Sequence, residues 1–151
     1  MALSVRSYDS TKWVNIWDPS IDKQWIENYF VEYKTTWPNV REEIQPVVKE
    51  GEKASAFYLR SLTGGQLHAV EKLSGIQKIC EIVAYGVTGW ENMYDGEREK
   101  RCQHTTDDLG KRLTTECVEY LGFFGFTDLS LLNILAVQIM QISRCMNGLG
   151  S

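Results

Sequence analysis

The sequence predicts an α+β fold, mainly α: a single domain spanning 1–151, with about four to five helices and a small β-hairpin. Three observations carry this. Leu67, Val70, Leu73, Ile76, Cys80, Val83 and Val87 recur at three- and four-residue steps, the spacing of a buried helix face. Leu132, Leu135, Ile139, Ile142 and Met146 repeat that spacing near the C-terminus as a narrower seam, like a coiled-coil contact. Between Gln45 and Ser61, two short runs flank the turn residues Glu50, Gly51, Glu52 and Lys53, which is the pattern of a hairpin.

In chain order, residues 1–11 are polar and read as an arm or an edge strand. Lys12 to Trp17 alternates, with Trp13, Asn15 and Trp17 on one face and Val14 and Ile16 on the other, so a short strand is expected. Asp18-Pro19 ends it, and Asp18-Pro19-Ser20 can equally open the next helix. From Ile21, the residues Trp25, Tyr29 and Tyr33 fall at helical spacing, and Pro38 closes that helix because the residue before proline is pushed out of the helical region. Val40 to Ile44 suits one helical turn. Gln45 to Lys49 reads as an edge strand, to be paired with a strand over 55–61.

Thr63 has the features of an N-cap. Its hydroxyl can accept from the amide of Gln66, whose side chain can reach back to the Thr63 amide, while Leu62 stands where a hydrophobic staple belongs. One helix is expected from there to Val87, with Gly86 and Gly89 at a left-handed end. Glu91 to Asp108 is polar, carries the Asp95-Gly96 turn signal, and is expected to be the longest loop. Thr114 or Thr115 caps a short helix through Cys117, Val118 and Leu121. Gly122 and Gly125 end it and expose Phe123-Phe124-Gly125-Phe126. Thr127 or Asp128 caps the last helix, and Gly148 to Ser151 is a tail.

Composition narrows the function. Apolar residues make up 43% and charged residues 24%, an ordinary globular balance. The net charge of -4 disfavours general nucleic-acid binding, since the basic residues Arg98, Lys100 and Arg101 are interrupted by Glu97 and Glu99. The most apolar run, Leu129 to Met140, is shorter than the ~20 residues of a membrane span, and the N-terminus lacks the pattern of a signal peptide. Cys80, Cys102, Cys117 and Cys145 are widely spaced, which reads as free thiols in a reducing compartment.

The expected chemistry is binding, with no catalytic, cofactor or metal-ligating residues assigned. Zinc would have to use Cys102, His104 and Cys117, only one tight ligand pair where structural sites have two. No Gly-x-Ser-x-Gly elbow is present, and only two histidines could serve as bases. Leu62-Thr63-Gly64-Gly65-Gln66 has the glycines of a phosphate loop but not the Lys and Ser or Thr that follow them. Adjacent carboxylates such as Glu42-Glu43 and Asp107-Asp108 do not share a face. The apolar excess lies in the Trp-rich first quarter, the Phe123 corner and the C-terminal seam. It marks Phe123, Phe124, Leu132, Leu135, Ile139, Ile142 and Met146 as candidate partner-binding residues.

Phe57, Leu59, Arg60, Leu62 and Thr63, then Gly89-Trp90-Glu91-Asn92, Asp95-Gly96 and Ile142-Ser143-Arg144 resemble small proteins of tailed bacteriophages, particularly the tail assembly chaperone-like group. The resemblance covers about residues 55–146. It implies a non-enzymatic phage protein of virion assembly or architecture, either a minor virion component or a tail assembly chaperone. The implied partners are phage structural proteins, met through the seam on the last helix and Trp90, with self-association as a further expectation and neither nucleic acid nor membrane involved. The implied location is the host cytoplasm, extending to the virion if the protein is retained there. The alternative is a phage-encoded inhibitor that binds a host defence or replication protein through acidic segments such as 91–108.

Overall fold

The computed structural model describes residues 11–14, 18–33, 47–126 and 129–146. The expected arm, the Asn15–Trp17 end of the first strand, the Pro38 stop, the Val40–Ile44 turn, the Thr127 and Asp128 caps and the C-terminal tail lie outside them.

The central sheet has three antiparallel strands in sequence order: β1 (Thr11–Val14), β2 (Ala56–Leu59) and β3 (Val87–Glu91). Trp13 faces Phe57 across one ladder and Phe57 faces Trp90 across the other, so one row of aromatic rings crosses the sheet on its buried side. On the opposite side Tyr58 donates to Glu91, which also pairs with Lys12 at 3.4 Å. An irregularity between Tyr58 and Leu59 shifts the second ladder's register.

Helix α1 (Lys23–Tyr33) follows a turn in which Asp18 accepts from the amide of Ser20 at 2.9 Å. The same carboxylate accepts from both the amide and hydroxyl of Ser55, at 3.0 and 2.7 Å, tying this turn to the entry of β2. These bonds hold the Asp18 carboxyl below its ordinary pKa although burial pushes the other way.

Among the described residues, the expected hairpin of 45–49 with 55–61 does not form. The strand over 56–59 pairs with β1 and β3 instead, and Val48 makes only an isolated bridge to Ile21. Phe57 and Leu59 are completely buried. A central position satisfies both backbone edges of such a strand, and a lone hairpin would leave one of them open.

The expected single helix from Thr63 to Val87 is two helices, α2 (Gly64–Glu71) and α3 (Gly75–Gly86). The capping box at Thr63 is present: its Oγ1 accepts from the Gln66 amide at 3.2 Å, and Gln66 Oε1 accepts from the Thr63 amide at 3.0 Å. The break falls at Ser74-Gly75, where Ser74 is extended and Gly75 adopts φ 61°, a left-handed conformation that glycine enters without strain. Nor is the end of α3 left-handed. Val87, at φ -91° and ψ 116°, leads straight into β3.

Half of the expected long loop over 91–108 is instead paired in strands. β4 (Tyr94–Asp95) and β5 (Arg98–Glu99) form one ribbon, and β6 (His104–Asp107) and β7 (Gly110–Leu113) form another. Glycines at positive φ, Gly96 and Gly110, make their turns. Helix α4 (Thr115–Leu121) is capped by Thr114, whose hydroxyl accepts from the Cys117 amide at 3.2 Å. The ribbon of β8 (Gly125–Phe126) and β9 (Leu129–Ser130) leads into α5 (Leu131–Met146). There the Ser130 hydroxyl accepts from the Asn133 amide at 3.2 Å.

The fold is therefore α+β, but not mainly helical with a single hairpin. The described residues hold five helices, one three-stranded sheet and three two-stranded ribbons. The core lies between the sheet, α3, α4 and α5.

Candidate functional site

The row of rings that starts on the sheet continues into α4. Trp13 and Phe57 are 6.2 Å apart, and Trp90 meets Phe57 edge-on at 6.3 Å. Tyr120 follows at 5.9 Å from Trp90, and Phe124 meets Tyr120 edge-on at 5.2 Å. Such tilted and edge contacts suit the charge distribution of aromatic rings. The polar ends of Trp90 and Tyr120 are satisfied. Trp90 Nε1 donates to the Lys100 carbonyl at 2.7 Å, and the Tyr120 hydroxyl donates to the Tyr94 carbonyl at 2.6 Å. Lys100 stands over the Tyr120 ring at 5.6 Å and pairs with Glu116 at 3.0 Å. Phe123, next in the chain to the end of this row, is 86% exposed.

The sequence-predicted contact residues separate into two groups. Leu132, Leu135, Ile139 and Ile142 are buried within this chain, where α5 packs on α3, so the seam is an internal one. Trp90 and Phe124 are half-buried against the core, and Phe123 is exposed. The Met146 side chain lies outside the described residues.

A second feature was missed by sequence reasoning. An open cleft of about 390 Å³ lies between the start of α2, the α3–β3 junction and the β6–β7 ribbon. Arg60, Thr63, Thr88, His104 and Lys111 supply its polar lining, with Tyr85, Val87 and Leu109 as its apolar wall. Gln66, almost fully buried, holds two sides together, because its Nε2 donates to the Leu109 carbonyl at 2.8 Å while its Oε1 completes the α2 cap. His104 Nε2 bonds the Val87 carbonyl at 2.9 Å, fixing the ribbon to β3. The clue in the sequence was the turn sequence Asp107-Asp108-Leu109-Gly110 between two polar runs, a hairpin without an apolar face.

Beside the cleft runs a charged network. The Tyr85 hydroxyl donates to Asp107 at 2.6 Å, and Arg112 pairs with Glu81 at 2.9 Å and with Asp107 at 3.6 Å. Arg112 also lies 5.3 Å from the Tyr85 ring centre. Burial, with the adjacent Asp107 carboxylate adding to it, pushes the Tyr85 hydroxyl up to about 12.

The residues considered for zinc are used otherwise. Cys117 is buried with its thiol 3.6 Å from the Arg101 carbonyl, and burial pushes the Cys102 thiol up to about 12. Among the described residues no group of three His, Cys, Asp or Glu side chains converges on one point. No helix among them is long and apolar enough to cross a membrane. Compared with family models, curated proteins and solved structures, the chain matches none.

Proposed function

We propose that this chain is a non-enzymatic bacteriophage protein of virion assembly or architecture that binds another phage structural protein in the host cytoplasm. It acts either as a minor virion component or as a tail assembly chaperone. The resemblance over residues 55–146 supplies the partner class. The observation that supports a contact point is Phe123. It leaves most of a large apolar ring in water beside a row whose other rings are packed, and exposed aromatics of this kind are the anchors of protein interfaces. Tyr94, half-exposed, is bonded through its carbonyl to Tyr120 of the same row.

Mass by light scattering on the purified protein, beside mass spectrometry of purified particles, tests this. A defined oligomer found in particles makes the protein a virion component. A monomer absent from particles, but crosslinked to a phage structural protein during infection, makes it a chaperone. Phe123→Ser, which removes no buried contact, is expected to weaken that crosslink while leaving thermal unfolding unchanged. Absence from particles together with no phage structural protein among the crosslinked species overturns the reading.

A further inference from the structure

We propose that the cleft between α2, β3 and the β6–β7 ribbon binds a small organic oxyanion through Lys111, Arg60 and the Thr63 hydroxyl. The charge of the lining is the first reason. The chain carries 20 acidic residues against 16 basic ones, yet the lining includes Arg60 and Lys111 and no Asp or Glu. An anion in this cavity is attracted by the Lys111 charge and by the Arg60 guanidinium, which also donates to the Ser61 carbonyl at 3.3 Å and to Gln66 Oε1 at 3.4 Å.

Two carboxylates of the neighbouring elements, Asp107 and Glu81, are engaged elsewhere, and Asp108 in the turn of the ribbon is exposed. Asp107 is turned to the Tyr85 hydroxyl, the Leu109 amide and Arg112, and Glu81 is bonded to Arg112. Arg112 and Lys100, the other cations of these ribbons in contact with the core, each have a carboxylate partner. Lys111 has no ion pair among the described residues.

Hydrogen-bonding capacity selects among the remaining groups. The Thr63 hydroxyl oxygen accepts from Gln66, so its hydrogen is available to donate to an anion. The Thr88 hydroxyl is spent on the Tyr58 carbonyl, and His104 is held by Val87, so both form wall rather than contact.

Size and wall chemistry select the kind of anion. A cleft of about 390 Å³ takes a small molecule and leaves room beyond a bare ion. Val87, Leu109 and the Tyr85 ring would cover a short carbon body. The ligand is therefore a phosphate monoester or a carboxylate on a small apolar or neutral skeleton.

Titration calorimetry on the full chain with glycerol 3-phosphate, glutarate and inorganic phosphate tests this, using Lys111→Gln and, as a control, Lys23→Gln on α1. Saturable binding of one organic anion is expected, weakened about tenfold by Lys111→Gln and unchanged by Lys23→Gln. Preference for glycerol 3-phosphate assigns a phosphate ligand, and preference for glutarate a carboxylate. Lys111 is exposed, so its variant is expected to unfold at the wild-type temperature. No saturable binding of any probe at about 10 mM overturns the proposal. Equal weakening by both lysine variants does so too, because it would mark diffuse charge attraction.

Discussion

Gly86 and Ile139 are in direct contact across the α3–α5 packing, so close that a Cβ on Gly86 would stand 2.4 Å from Ile139 Cδ1 and 2.6 Å from its Cγ2. Gly86 is needed here for its lack of a side chain, since its φ is not positive. The close approach lets α5 lie against the last turn of α3 at the point where the chain turns into β3, the strand that carries Trp90. Gly86→Ala is expected to destabilise the protein by about 1–3 kcal/mol through overpacking. Ile139→Ala should cost about 2–5 kcal/mol alone. Combined, the two should cost clearly less than their sum, because the shortened side chain makes room for the added methyl. Urea unfolding of the four proteins gives the coupling, and strict additivity would show that the contact is slack.

Gln138 lies on the same helix, is fully buried, and has no hydrogen-bond partner for either amide atom among the described residues. A buried amide in that state loses its bonds to water without replacement. Gln138→Met, which keeps the length of the side chain, should raise stability by about 1–2 kcal/mol. A loss of stability in denaturant unfolding would mean that the amide has partners in solution.

The Tyr85 hydroxyl titrates at about 12 in the folded chain against an ordinary 10.0. A group whose folded pKa is raised contributes stability that is full below its unfolded pKa and is lost as pH rises through the folded value. Stability should therefore fall between about pH 10 and 12, steeply enough to follow by thermal unfolding in steps of pH. Tyr85→Phe removes both the ionisation and the bond to Asp107. It should lower stability at neutral pH and flatten this alkaline fall. Tyr120, also pushed up to about 12 by burial, keeps part of the slope in the variant. An unchanged slope in Tyr85→Phe would sink the assignment.

The parts of this protein legible in its sequence are those made of neighbours along the chain. The capping box needs only Thr63 and Gln66, the cap of α4 only Thr114 and Cys117, and the buried face of α5 only a repeat of three and four residues. The polar segment 91–108 misled because its strands β4, β5 and β6 bury little on either face and leave no alternation to read. The Ser74-Gly75 break was hidden by an apolar stripe that continues in phase on both sides.

By itself, then, the sequence determined the capped starts of α2 and α4, the buried repeat of α5, and that strand-forming runs lie near Trp13 and Phe57. Tertiary structure alone decided that Phe57 pairs with Trp13 and Trp90 rather than with the run before Gly51. It turned the α5 seam inward onto α3, and it brought Arg60, Thr63 and Lys111 to one cleft. The physical reason is distance along the chain. Caps and helical periodicity are set by bonds spanning a few residues. Strand partners and clefts depend on which distant segments bury the most surface together, and local spacing carries no record of that competition.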